Sequence, residues 1–251
     1  MDGMTLQEYK VKELKNTIAI VGFPSVGLVS SIAASFLARE LKLDPIAGFT
    51  SPDFPPYSIV QNGVPMPQIR IYAGDRVCDD KTGVDCDSLV VITSEFMPKM
   101  EQHHTIAVAI MDWLSERNVK NIVVLDGIPL FVPDEYVLLG AGSTPHARET
   151  MREYKIDEFE GGMVRGTAGI MLMEGLRRGL DVVTLLGSAR TDMPDPRGAA
   201  KLMEPLGKML PELKIDTEPL YLEAEELDRR MRTQTVQEHH SVLPSDHILY
   251  G

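Results

Sequence analysis

The residues of this chain best placed for chemistry fall where short apolar runs end. Ser25 follows the run Thr17–Gly22, and Ser94 and Glu95 follow Leu89–Ile92. Asp126 closes Asn121–Leu125, and Ser188 and Arg190 follow Val182–Leu186. If those runs are parallel strands, their carboxyl ends share the edge on which open α/β sheets form ligand crevices. Ser25, Glu95, Asp126 and Arg190 then make a candidate crevice for a small ligand such as a nucleoside, with Glu95 and Asp126 as a general acid–base pair. The same residue types also cap helices and close loops at such positions. No Ser/His/Asp order or nucleophile elbow accompanies them, and no cluster of Arg and His of the kind a phosphate or nucleoside would need.

Gly22-Phe23-Pro24-Ser25-Val26-Gly27 has the glycine spacing of a phosphate-binding loop, but Leu28 and Val29 stand where that loop needs Lys and Ser/Thr. Without them the phosphates lack a counter-ion and magnesium lacks a ligand. The segment reads instead as a tight turn with Ser25 capping the next helix. His103-His104 and His239-His240 are adjacent pairs. Neighbouring helical residues point in different directions and cannot share one metal well, so both pairs read as solvated. Cys78 and Cys86 lie in a polar stretch, Gly74–Asp87, that holds five Asp. Two cysteines make no disulfide framework, though a loop disulfide is open to them, and no nearby His completes a zinc site. The glycine-rich stretch Gly161–Gly169 either lines a ligand or lets a helix pack closely, and Met163, Met171 and Met173 suit a core or a subunit interface. No metal and no cofactor is implied.

A different chemistry stands at the end of the chain. Leu249-Tyr250-Gly251 combines an apolar residue, a tyrosine and a carboxylate after a polar segment that begins at His239. That combination suits docking, in which one group fills a pocket and the other meets a cation or backbone N–H groups.

The elements that must position these residues alternate. Thr17–Gly22, Leu89–Ile92, Asn121–Asp126 and Val182–Leu186 read as buried strands, apolar enough to be covered on both faces. Helices are expected over 28–41, 101–117, from Pro145 with Thr144 as N-cap, over 166–178, 195–210 and 219–238. Three short strands, 46–50, 57–61 and 68–73, suggest an antiparallel excursion, and Tyr136–Leu139 a further strand. The class is α/β: a three-layer sandwich with a largely parallel or mixed central sheet and helices on both faces. In the last helix Leu220, Ala224, Leu227 and Met231 form a stripe on an otherwise charged surface, which either docks on the body or pairs with copies of itself. One domain over residues 1–238 and a tail over 239–251 are expected.

With 251 residues, a formal charge of −12 and a sequence pI near 5.0, the chain is a poor partner for nucleic acid or an anionic membrane surface. No apolar run spans a bilayer and no signal peptide is visible, so a reduced cytoplasmic protein is expected.

Ile20–Val29, with its hydrophobic strand, Gly-x-Pro-x-x-Gly and helix, resembles the opening motif of the proteasome assembly chaperone 2 family. Pro55-Pro56, Gly63, Pro67 and Ile71-Tyr72 follow in the family's order. Leu89–Ser94, Trp113-Leu114, Val119, Ile122–Gly127 and Gly162–Leu172 continue it, so that the resemblance covers roughly residues 15 to 210. It implies a fold close to that of nucleoside phosphorylases without their catalytic residues, and homo-oligomers such as tetramers or pentamers. It implies a chaperone-like protein that binds the 20S proteasome without ATP, in assembly, gate opening or both. Leu249, Tyr250 and Gly251 match the hydrophobic-Tyr-any motif by which such proteins enter pockets between proteasomal α subunits, the carboxylate pairing with a lysine. Asp126 departs from the glycine usual in the family, which leaves a ligand site open.

Overall fold

The four apolar runs are neighbours in the middle of one nine-stranded sheet. The structure, a computed structural model, describes residues 3–10, 12–78, 86–132 and 135–241. In chain order its elements are β1 (Thr5–Glu8), β2 (Ile18–Gly22), α1 (Val29–Glu40), β3 (Asp44–Thr50), β4 (Ile59–Gln61), β5 (Val64–Met66), β6 (Ile69–Cys78) and β7 (Cys86–Ser94). There follow α2 (Gln102–Glu116), β8 (Asn121–Pro129), β9 (Leu138–Gly142), α3 (Pro145–Glu153), β10 (Asp157–Glu158), α4 (Gly166–Arg178), β11 (Asp181–Ala189), α5 (Pro196–Met209) and α6 (Glu218–Ser241).

The sheet order is β1-β3-β6-β7-β2-β8-β11-β9-β10. The central block β7-β2-β8-β11 is parallel throughout. On one side β6, β3 and β1 continue it antiparallel. On the other, β9 runs antiparallel to β11 and β10 parallel to β9. Side chains alternate across the central strands, as the period of two requires. Ile122 and Val124 of β8 join a core with Ile106, Ile110 and Trp113 of α2 and Met171 of α4. Val123 and Leu125 join the opposite core with Val29 of α1, Met151 of α3, Leu202 and Met203 of α5 and Leu220 of α6. Helices therefore cover both faces. Each large side chain fully buried in these layers contributes about 1.5–3 kcal/mol, which is why the uninterrupted apolar runs fix the middle of the sheet.

Several expectations change. The strand expected at 57–61 does not enter the main sheet. Its second half, β4, pairs only with β5, across the two-residue turn Asn62-Gly63 in which both residues have positive φ. That is the turn a tight hairpin demands. Both ends of the stretch read as an acidic loop are ladder: β6 and β7 pair from Ile69↔Ser94 to Cys78↔Cys86, so the two cysteines form the last registered pair, and residues 79–85 lie outside the described residues. The strand expected at Tyr136 begins at Leu138, and β1 was not foreseen. Thr144 caps α3 as expected, its hydroxyl accepting from the N–H of Ala147 at 3.0 Å, with Pro145 at the first helical position. The last helix runs on through His239-His240 to Ser241.

Candidate functional site

The strand-end residues all lie at or near the carboxyl edge of the parallel block, yet they face four different neighbourhoods. Asp126 stands within β8, opposite Leu186 of β11, and the strand runs on to Pro129. By alternation its side chain shares the α2–α4 face with Ile122 and Val124. Its Oδ1 accepts from the N–H of Gly127 at 2.9 Å, and burial pushes its pKa up to about 6. The cavity there measures about 50 Å³ and is lined by Phe23, Pro24, His103, Asp126, Arg165 and Thr167 among others. It lies where β2 and β8 diverge in chain order, the position at which doubly wound sheets open a crevice. Space of this size holds a few waters, whereas ligand pockets run to several hundred Å³.

His103 and Arg165 line this cavity beside Asp126, one His and one Arg that the sequence did not associate with the strand ends. His103 is also half-buried, not solvated. Its Nδ1 lies 2.9 Å from Oγ1 of Thr167, and burial lowers its pKa, while His104 beside it is exposed.

Ser25 sits on the other face of β8. Its hydroxyl pairs with the hydroxyl of Ser30 and makes no capping bond, so the expected cap is replaced by a side-chain pair. Gly127 is what allows this approach: a Cβ there would lie 2.7 Å from the carbonyl oxygen of Val26 and 2.8 Å from Ser25 Oγ. Glu95 is drawn away from both. It pairs with Nη2 of Arg70, a β6 residue only 3% exposed, whose Nε donates to the Tyr72 hydroxyl at 2.9 Å. Glu95 and Asp126 therefore occupy separate pockets and form no acid–base pair.

Arg190 serves the chain's last helix. Just beyond β11 it donates from Nη1 to Asp228 Oδ1 of α6 at 2.7 Å, and Nη2 of Arg197 lies 3.6 Å from Asp228 Oδ2. Behind it Asp195 is fully buried and satisfied. It accepts from the N–H groups of Arg190 and Gly198, each at 2.9 Å, and from the Tyr136 hydroxyl at 3.0 Å. Desolvation and the neighbouring Asp195 carboxylate both raise the pKa of Tyr136. The N–H of Asp195 in turn donates to the carbonyl of Gly27 at 2.8 Å. Gly27 has φ +59, and a Cβ there would meet the Arg190 carbonyl oxygen at 2.7 Å. One bonded chain thus runs from the turn after β2, through the end of β11 and the start of α5, to α6.

The sequence showed Asp195-Pro196 only as a helix start, and it showed Asp228 as one charge among many on α6. Three members of the stripe on α6 were legible: Leu220 and Ala224 are buried against the body and Leu227 is half-buried, so the helix docks by this face, while the Met231 side chain lies outside what is described. From Asp228 it continues for thirteen residues to Ser241, about 20 Å of helix. Leu249, Tyr250 and Gly251 lie outside the described residues. Among the described residues no helix is long and apolar enough to cross a membrane.

The family model described as PAC2 family matches residues 19–235, from β2 to within α6. The chain belongs to the PAC2 family. Pyrococcus furiosus PbaA, an archaeal homologue of proteasome-assembly chaperone, is similar to this PAC2 chain with a TM-score of 0.81 at 31% identity, over 96% of this chain and 94% of PbaA. Pyrococcus furiosus PbaB, an archaeal proteasome activator, is similar with a TM-score of 0.78 at 25% identity, over 94% of this chain and 100% of PbaB. Uncharacterized protein MJ0106 of Methanocaldococcus jannaschii is 28% identical over 232 residues, 92% of this chain and 91% of that protein. These PAC2 likenesses extend over the sheet, both helix layers and most of α6, so the mixed α/β architecture is common to this chain and its relatives.

Proposed function

We propose that this protein binds the 20S proteasome without ATP, as an assembly chaperone or activator, by docking Leu249, Tyr250 and the Gly251 carboxylate into pockets between α subunits. The observation that carries this reading is the near full-length likeness to PbaA and PbaB, joined to a chain end of apolar residue, tyrosine and carboxylate. The course of α6 supports it. The helix is held to the body by Leu220, Ala224 and Asp228 and then leads for thirteen residues towards the ten residues 242–251. Ten residues reach at most about 35 Å. A three-residue plug binds weakly by itself, because ordering it offsets much of its contact energy. Several tails on one homo-oligomer, a tetramer or pentamer, raise the effective concentration enough to make weak sites useful.

The test is a pull-down of 20S proteasome and α-subunit intermediates, comparing the full chain with one ending at Ile248. Binding is expected to disappear with the last three residues while fold and oligomer persist. Equal capture by the shortened chain would overturn the reading. Recovery of intermediates rather than of mature 20S particles would mark assembly in place of activation. A thermal-shift screen with nucleosides, nucleotides and phosphate addresses the ligand-binding alternative, which the separation of Ser25, Glu95, Asp126 and Arg190 does not favour.

A further inference from the structure

A groove of about 600 Å³ opens between α1, the antiparallel strands β6 and β7, and the β4–β5 hairpin. Its volume is that of a small-molecule site. On its floor Arg70 is 3% exposed, with Nε given to the Tyr72 hydroxyl and Nη2 to Glu95. Its Nη1 is buried and has no hydrogen-bond partner among the described residues. An unmatched charged donor is among the more costly things a protein interior can hold, and an acceptor supplied from outside removes that cost. The groove's own acids do not supply one. Asp44 is held by Lys10 at 2.8 Å and Glu95 by Nη2.

The rim adds positive charge. Arg39 and Lys42, at and just beyond the end of α1, are exposed and have no ion-pair partner among the described residues. Three cations therefore line this groove against two acids already paired, in a chain whose net charge is −12. The roof is apolar. Gln61, Ile59 and Val64 share one face of the hairpin by register, and Gln61 accepts from the Tyr72 hydroxyl at 2.9 Å, which turns that face to the floor. Val64 is nevertheless 56% exposed. The hairpin pairs with no strand of the nine-stranded sheet.

We propose that this groove binds a small organic carboxylate, whose anionic group meets Arg70, Arg39 and Lys42 and whose apolar body lies against Ile59 and Val64 of the hairpin. A carboxylate matches the guanidinium in charge and in geometry, and the apolar roof excludes plain inorganic anions as the best fit.

Calorimetric titration of the full chain with hexanoate tests this, with hexanamide and inorganic phosphate as comparators. Hexanoate is expected to bind saturably, with each comparator weaker by roughly tenfold. Arg39→Gln and Lys42→Gln, both at exposed positions that leave the core intact, should each weaken hexanoate by about threefold. In the unaltered protein the Arg70 Nε–H NMR signal should move on titration, and Arg70→Lys should lose both that signal and most of the affinity. The proposal fails if hexanoate shows no saturable binding, if hexanamide or phosphate binds as tightly, or if the two rim substitutions change nothing.

Discussion

Arg190, one residue beyond β11, holds Asp228 of α6 through a 2.7 Å bond from Nη1 to Oδ1, and so ties the carboxyl edge of the sheet to the helix that leads to the end of the chain. Both side chains are about one-quarter exposed, and Arg197 adds a second cation to Asp228. The pair lies between a surface ion pair and a buried one. It is a clamp on one helix, anchored behind by Asp195.

Asp228→Asn should cost about 1 kcal/mol, because one charge is removed while a hydrogen-bond acceptor stays. Its effect should be local. Hydrogen exchange should quicken in the first three turns of α6 and remain unchanged in α5 and β11. Unchanged exchange in α6 would show that the apolar stripe alone fixes the helix.

Asp195→Ala should be far more damaging, by about 3 kcal/mol or more. It strips the N-cap from α5 and leaves the N–H of Arg190, the N–H of Gly198 and the Tyr136 hydroxyl without their acceptor. Tyr136→Phe removes only one donor and should cost about 1 kcal/mol. Urea unfolding of the two variants should separate them by a clear margin; equal midpoints would contradict the hub role given to Asp195.

The Asp126 carboxyl sets a pH dependence. In the unfolded chain it titrates near the ordinary value of about 3.9. In the fold burial raises it to about 6. Between these values the folded protein binds more protons than the unfolded one, so stability falls as pH rises. The contribution is complete below about pH 4 and lost as pH climbs through about 6, a swing of roughly 3 kcal/mol at most. Asp126→Asn keeps an acceptor for the Gly127 N–H and should be the more stable protein at pH 7.5, with the gap closing near pH 4. A difference in urea midpoint that is the same at both pH values would refute this.

Gly127→Ala should destabilise by about 2 kcal/mol or more. The added methyl meets the backbone oxygen of Val26, which cannot swing aside as a side chain can. Calorimetric melting should show the loss, and Ser25→Ala should not relieve it, since the backbone contact remains. Relief by Ser25→Ala would mean that the hydroxyl, not the backbone, limits the space.

The parts of the fold that were legible are those in which local pattern and burial agree. β7, β2, β8 and β11 are apolar on both faces, and the helices covering them carry wide apolar stripes. β1 escaped notice because Thr5–Glu8 is exposed at all four positions and owes its extended form to β3 alone. β5 was hidden by Pro65, which an isolated hairpin tolerates and a central strand does not. For the candidate crevice, spacing placed the polar residues near one edge correctly. It could not tell that Asp126 and Ser25 stand on opposite faces of β8, nor that Arg70 would claim Glu95. Those outcomes depend on partners twenty-five or more residues away in the chain.

In the proposed reading the two ends of α6 have unequal duties, and proteolysis would expose the difference. Its buried anchors Leu220 and Ala224 lie in the first two turns and its ionic clamp at Asp228, so cleavage anywhere beyond that clamp spares every described core residue. The product would be an intact body without a terminus to present. If the protein is the homo-oligomer proposed above, such molecules mixed with uncut copies would act as blanks, lowering the number of terminal residues on offer without altering the scaffold that carries them.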